Sequence, residues 1–511
     1  MLAPRSGWRW VAIFAGSLTA LLIRFLVPVP IAQADNRDGP RLMCGLGVAP
    51  ATHGEPRFFR FAYFEYVRSA ACAGRAPYPS SQLVPLELAK LLTPALGLAG
   101  ALSMVVLGMI MCALAAIGIA SLAVGLRLPL WGQLTVAAVV WLIVADSAFF
   151  DVFAGPFSEP AALTGLLLIA AGTLYLRRGR RLTLIGLTLA GVGGCLAILS
   201  KEQYLILAAP TCLTLVLATA EPGRWYRLRR FATRQVAAAF VVAAVLAVLT
   251  GGYLAWDFTS HYGKRLHYIQ AVDMIFTDVV TTKANAPAGL HALGLPASWS
   301  RYAGHYYWDT GSVRSNPLFG RYEDKLTDEN IARYLITHPA NAVRIGQKAA
   351  EFAQQMRVTA LGDYPVSAGH PPGTVESRVV VVTWLMHRLP AHIGLLWYLP
   401  LWAVMTVIAI TALAWRGRAP WTRDAAVLIL CMTGCAVLAF VPPAYFAGIS
   451  TTRHMVGMNF ATALAVTLSI GVLISLVRGR LARAPQPPAP LRDPALAETQ
   501  LTTAGTSPLG T

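Results

Sequence analysis

Residues 95–124 read ALGLAGALSMVVLGMIMCALAAIGIASLAV, thirty positions without a charged side chain. About 20 helical residues at a rise of 1.5 Å cross roughly 30 Å of hydrocarbon, so this run is long enough to span a bilayer. A surface helix of a soluble protein would alternate apolar and charged faces, and this run has no charged face. Working outward, further apolar runs occur at roughly 8–30, 130–147, 160–176, 182–199, 204–219, 236–256, 393–414, 425–442 and 455–476. Hydrophobic residues make up 56% of the chain and charged ones 13%, against about 25% charged in an average soluble protein. The expected fold class is all-α, a polytopic transmembrane helix bundle of about ten spans with extracytoplasmic loops and a larger, mostly helical outer segment.

The chain holds 42 Lys+Arg against 24 Asp+Glu, a formal charge of +18. A nucleic-acid partner would call for a continuous basic face. Here the cations stand in short clusters between apolar runs, which excludes that class: Arg127; Arg177, Arg178, Arg180 and Arg181; Arg224, Arg227, Arg229, Arg230 and Arg234; Arg416, Arg418 and Arg423; Arg478, Arg480 and Arg483. With Arg5 and Arg9, every even-numbered exit is short and basic. The positive-inside rule therefore puts both termini in the cytoplasm of a multi-pass cell-membrane protein. The breaks at 31–94, 148–159, 200–203, 257–392 and 443–454 face outward. The chain divides into an N-terminal transmembrane module (1–256) that includes the first outer loop (31–94), an extracytoplasmic segment (257–392), C-terminal transmembrane helices (393–477) and a disordered cytoplasmic tail (478–511). Arg5, Arg9 and Ala32-Gln33-Ala34 imitate a cleaved signal peptide, but apolar sequence continues past Arg24 to Val27, favouring an uncleaved anchor.

The outward breaks hold the polar residues that merit chemistry. Asp35 and Asp38, in Asp35-Asn36-Arg37-Asp38-Gly39-Pro40-Arg41, supply either a general base or an Asx turn capping the helix exit. Phe58-Phe59-Arg60-Phe61-Ala62-Tyr63-Phe64-Glu65-Tyr66-Val67-Arg68 suits a headgroup-layer helix or packing beneath an outer domain. Asp146, Asp151 and Glu159 sit at the outer boundary, where an unpaired charge is costly and tends to be functional or paired; Ser158-Glu159-Pro160 also makes a helix start. Lys201 has almost no room between two spans, so its ammonium either holds a lipid phosphate or pairs locally with Glu202. Arg453 is the only arginine on its outer turn, which suggests an anionic partner, and His454 is a proton carrier or an interfacial hydrogen-bonding residue. Cys44 and Cys72 share the outer loop, as a disulfide or as two buried thiols. In 257–392, Tyr302-Ala303-Gly304-His305-Tyr306-Tyr307-Trp308-Asp309 fits a carbohydrate-stacking surface or an outer domain docked on lipid. No HExxH, GxSxG, Walker A or GxGxxG motif occurs in a fitting context, so peptidase and nucleotide chemistry have no support.

This layout resembles the GT-C superfamily of integral membrane glycosyltransferases. More narrowly, Asp35-Asn36-Arg37-Asp38, Phe153-Ala154-Gly155-Pro156-Phe157-Ser158-Glu159-Pro160, Ser200-Lys201-Glu202-Gln203 and Arg453-His454-Met455 look like segments of bacterial surface-glycan hexose transferase-like proteins. The resemblance runs over most of residues 8–476. It implies inverting transfer of a monosaccharide, a hexose, from a polyprenyl-phosphate-linked donor to an envelope glycan acceptor on the outer face. Asp38 or Asp35 would take the acceptor proton, and Lys201 and Arg453 would hold the donor phosphate. Asp146, Asp151, Glu159 and His454 would surround the acceptor or headgroup, and the acidic residues would bind a divalent cation (Mg or Mn) if one is needed. The first loop lacks the adjacent Asp-Asp or Asp-Glu pair of better-known members, leaving the base and any metal open. The competing readings are a transporter or flippase of lipid-linked glycan, which needs polar residues along mid-membrane helix faces, and a non-catalytic envelope scaffold.

Overall fold

Pro28 and Pro30 remove two backbone donors after the first apolar run, so α1 (Pro4–Leu26) stops at Leu26, shorter than the helix expected to residue 30, and the chain continues as a non-helical strap that is buried from Ile31 to Asp35. The computed structural model describes residues 4–72, 78–176, 178–219, 229–280, 286–390, 392–415, 420–448 and 451–481. After α2 (Gly39–Met43), the run expected at 95–124 begins later than its composition suggests. Helix α3 (Leu83–Ala95) ends one residue after Pro94, the chain turns through Gly97 and Gly100, and only α4 (Met104–Gly125) is a span. There follow α5 (Leu130–Ala145), α6 (Ser147–Phe150), α7 (Glu159–Thr173), α8 (Arg180–Ile198), α9 (Ala208–Thr219), α10 (Arg229–Thr259), α11 (His261–Met274), α12 (Ala286–Ala292), α13 (Asp328–Thr337), α14 (Pro339–Gln354), α15 (Val381–His387), α16 (Leu395–Ala414), α17 (Pro420–Tyr445), α18 (Thr451–His454) and α19 (Val456–Leu481).

Seven of these helices are long and apolar enough to cross a membrane, and Leu130–Ala145, Glu159–Thr173 and Glu202–Ala218 are shorter apolar helices. Together they occupy the ten expected runs and form an all-α membrane-spanning bundle. Every residue of α7 is buried, which makes it the central helix. Its packing on α8 is set by two glycine pairs. A Cβ on Gly165 would lie 2.5 Å from the Gly193 carbonyl oxygen, and one on Gly172 would lie 2.6 Å from that of Gly186. Gly165 with Gly193 and Gly172 with Gly186 descend one helix as they climb the other, the signature of an antiparallel pair in backbone contact.

The connecting segments gather at one end, here the loop side. Ala32 N donates to Asp363 O (3.0 Å), Gln33 N to Asp151 O (2.6 Å) and Ser80 Oγ to Ser200 O (2.6 Å). At the far end, Arg178 pairs with Asp424 (3.7 Å), joining two of the basic breaks. Arg177, Arg224, Arg227, Arg416, Arg418, Arg483 and the tail 484–511 lie outside the described residues. The aromatic stretch, read as a headgroup-layer helix or as packing beneath an outer domain, is not a helix and contains a strand: β2 (Glu65–Arg68) pairs antiparallel with β1 (Val48–Pro50) and β3 (Leu102–Ser103), burying Tyr66 between exposed neighbours. Cys44 and Cys72 form the disulfide that closes this loop, the first of the two expected alternatives.

Residues 271–345 build a second core around Trp299, Phe276 and Phe319. Thr327 caps α13, Pro339 opens α14, and Ala349, Ala350 and Ala353 on α14 face the main bundle. His267 ties this unit to the top of α10, donating to Asp257 (2.8 Å) and Asp328 (2.7 Å). Those two hydrogen bonds outweigh burial and push its pKa up to about 10 from 6.5.

Two predictions follow from this packing. Gly172→Leu drives a side chain into the α8 backbone and should cost at least the 1–3 kcal/mol typical of overpacking, roughly, lowering the unfolding temperature of the purified protein; Gly251→Leu, which has nothing within 4 Å of its Cβ position, should not. The raised His267 value makes the bridge fully stabilising below pH 6.5 and progressively weaker toward pH 10. Hydrogen exchange in α13 should therefore accelerate across that window in wild type and be less pH-sensitive in His267→Gln.

Candidate functional site

The strap delivers Asp35 to the mouth of the bundle, where its Oδ1 accepts from Arg37 N (2.8 Å) and Gly39 N (2.9 Å). This is the Asx-turn alternative: Asp35 shapes the entry to α2 and does not point its hydrogen-bonded oxygen at an acceptor. Burial outweighs those hydrogen bonds and raises its pKa to about 6. Asp38, at the start of α2, is placed differently. It forms an ion pair and hydrogen bond with Arg453 and lies 3.5 Å from Arg41, with 29% of its side chain still exposed. Burial would raise its pKa, but the charges of Arg453, Arg41 and Lys201 together hold it well below the usual carboxylate range.

Arg453 is 4% exposed and lies over the ring of Phe157 at 5.0 Å. It donates to Asn36 Oδ1 (3.2 Å) and its Nε lies 3.7 Å from Glu159 Oε1. The same Glu159 oxygen is 3.5 Å from Lys201 Nζ. Lys201 Nζ also donates to His454 Nε2 (3.0 Å), which Arg453 approaches at 3.3 Å. Both donors are cationic and cannot accept, so Nε2 is the unprotonated nitrogen and the imidazole is neutral. Burial, then the charges of Lys201 and Arg453, push the His454 pKa well below its ordinary value. His454 therefore orients Lys201 as a neutral imidazole, the second of its two expected roles.

Asp38, Glu159, Lys201 and Arg453 thus meet around one narrow cleft, whose cavity volume of about 20 Å³ has room for roughly one water molecule and which is lined also by Arg41, Tyr78, Phe157 and Ser158. Three cations (Arg41, Lys201, Arg453) face two carboxylates (Asp38, Glu159), so the lining carries one net positive charge, 3 − 2 = +1. Arg41 was legible from its spacing three residues after Asp38 on one helix, a face-sharing interval. Nothing local marks Tyr78, which reaches the cleft from the far end of the first loop and donates to Glu202.

Asp146 and Asp151, expected beside the acceptor or headgroup, do not join this cleft. Both Asp146 oxygens are committed to the start of α15, accepting from Val382 N (2.7 Å) and Thr383 Oγ1 (2.6 Å) as well as from Ala148 N (3.1 Å). Asp151 lies in a second buried cluster, 3.9 Å from Arg24 and 3.7 Å from Arg357, while Arg357 pairs with Asp363 (2.7 Å) and Arg24 with Glu376. Burial and the neighbouring Asp363 raise the Asp151 pKa well above the ordinary value. This network fastens the 357–383 loop to the bundle. Among the described residues no three His, Cys, Asp or Glu side chains are grouped to hold a metal ion. Asp146, Asp151 and Glu159, which would hold a divalent cation (Mg or Mn) were one needed, do not form one site for it, because their carboxylates answer to three separate sets of partners.

Ten apolar helices among the described residues, with a polar cleft at one end, define a multi-pass α-helical membrane protein. The chain matches the YfdI N-terminal transmembrane domain over residues 9–484 and belongs to that family. No curated protein and no solved structure matches it.

Glu159 is the shared counter-charge of Lys201 and Arg453, so Glu159→Ala leaves two cations short of a buried partner. Loss of about 3–5 kcal/mol, the usual cost of breaking a buried pair, is expected as a lower unfolding temperature. Adding Lys201→Met should recover part of it; a Glu159→Ala protein as stable as wild type would contradict the pairing.

Proposed function

We propose that the protein is a GT-C-type glycosyltransferase that moves a monosaccharide, a hexose, from a polyprenyl-phosphate donor to an envelope glycan with inversion. The observation that carries this reading is the convergence of Asp38, Glu159, Lys201 and Arg453, from four separated parts of the chain, on a cationic cleft at the end of an apolar bundle. Such a cleft suits an amphiphile with an anionic head and a long apolar tail.

In the proposed reaction the acceptor oxygen attacks the anomeric carbon, the bond from that carbon to the phosphate oxygen breaks, and polyprenyl phosphate leaves with one additional negative charge. Lys201 and Arg453 stabilise that charge. Asp38 receives the acceptor proton. With no donor bound, Arg453 holds Asp38 as a weakly basic carboxylate. A donor phosphate that draws Arg453 toward itself raises the proton affinity of Asp38, so the base is activated when the leaving group is in place. Glu159 and His454 keep the two cations aimed.

The location of charge favours this reading over a transporter. Among the described residues, buried charge lies at the ends of the spans and not midway along them: most of it, including Arg24, Asp151, Glu159, Lys201, Asp257 and Arg453, on the loop side, and Arg178 at the far end. A path through the bundle would place some of them midway along the spans.

The test is the surface-glycan composition of a deletion strain complemented with wild type or Asp38→Asn, with equal membrane levels of both. Wild type should restore a missing sugar. Asp38→Asn should restore it at a rate lower by about 10²–10⁴, the usual contribution of a positioned base. Equal restoration by both would reject Asp38 as the base and favour a transporter or scaffold.

A further inference from the structure

The second core presents a surface that the cleft chemistry does not use. Trp308 is 55% and Tyr306 37% exposed, two aromatic rings on one loop of this unit. The Trp308 ring is not loose: the Arg314 guanidinium lies 5.4 Å from its centroid and 5.3 Å from that of Tyr307, and the Tyr307 and Trp308 rings meet edge to face at 4.8 Å. Carboxylates surround these rings. Asp309 accepts from Tyr306 N (2.8 Å), and Asp273, 1% exposed, accepts from Tyr307 N through Oδ1 while its Oδ2 has no hydrogen-bond partner. Burial, then the charges of Asp278, Asp273 and Asp309, raise the pKa of Tyr306, which places all three carboxylates within electrostatic reach of its hydroxyl. The unit that carries this surface also contacts the chain segment preceding Arg453. Thr277 Oγ1 donates to Gly448 O (3.2 Å), and Gly448 stands five residues before Arg453.

We infer that Tyr306, Trp308 and Asp309 form a stacking subsite for a neutral oligosaccharide, the glycan chain that is to be extended. A sugar ring offers an apolar C–H face to an aromatic ring and hydroxyl donors to a carboxylate at its edge, and a pre-ordered indole flanked by Asp309 offers both. An apolar tail laid over the indole would desolvate the Asp309 carboxylate and the Arg314 guanidinium beside it. That the bound chain is the acceptor rests on the transferase reading; that a glycan binds here does not.

The test uses the full-length protein in fluorescent nanodiscs on an array of neutral hexose oligosaccharides. Wild type should be retained on a subset of glycans. Trp308→Ala should bind the same subset about tenfold more weakly, a loss of about 1.4 kcal/mol, Trp308→Phe should bind between the two, and Asp38→Asn should bind as wild type. Retention on no glycan, or equal retention of wild type and Trp308→Ala, overturns the subsite. Trp308→Ala nanodiscs that bind glycan normally, from a protein that inserts poorly into lipid, would assign the indole to the membrane and also overturn it. Glycan binding with full sugar transfer by Asp38→Asn would remove the proposed base and leave the subsite standing; transfer lost in Asp38→Asn with no effect of Trp308→Ala on binding would do the reverse.

Discussion

A guanidinium cannot be left without counter-charge at the end of an apolar bundle, and Arg453 draws its counter-charge from Asp38, 415 residues away along the chain. The rest of the loop side is arranged to make that meeting possible. The strap after α1 is threaded between Asp151 and the 362–363 turn, Asp35 bends it into α2, and α2 presents Asp38. On the other side, Glu159 opens α7, the buried central helix. The tight turn before α9 brings Lys201, and His454 receives its ammonium.

The molecule contains two buried ionic clusters of similar composition, and their different exposures assign them different work. Asp151, Glu376 and Asp363 are closed in among Arg24 and Arg357, with carboxylate side chains at most 2% exposed, and bind the 357–383 loop to the spans. Asp38 keeps an open edge, and the cleft beside it has a surplus of positive charge. A sealed network of paired charges organises a fold, whereas a cationic cleft with one accessible carboxylate can exchange an internal partner for a ligand.

Much of this was legible in the chain because the bilayer imposes strict lengths and short basic punctuation. The ten apolar runs were recognisable, and their errors have local causes: Pro28 and Pro30 shortened the first, and the turn through Gly97 and Gly100 delayed the second. The site was legible by rarity, since Lys201 and Arg453 stood out as cations on loops that otherwise lack them. What could not be read was pairing. Asp146 and Asp151 carried the same boundary signal as Glu159, yet their partners, Thr383, Arg24 and Arg357, lie in a segment and a span that no spacing rule connects to them. Likewise the alternation that buries Tyr66 in β2 was hidden in a stretch rich in aromatics throughout.

The central claim is that this cleft recognises the phosphate of a lipid. Equilibrium binding of a polyprenyl phosphate and of the polyprenol of equal chain length to the protein in nanodiscs tests it most directly. The phosphate should bind at least about tenfold more tightly in wild type, and the difference should collapse in a Lys201→Gln/Glu159→Gln protein that folds with no unpaired charge between these two positions. Equal affinity for phosphate and alcohol in wild type would contradict the account.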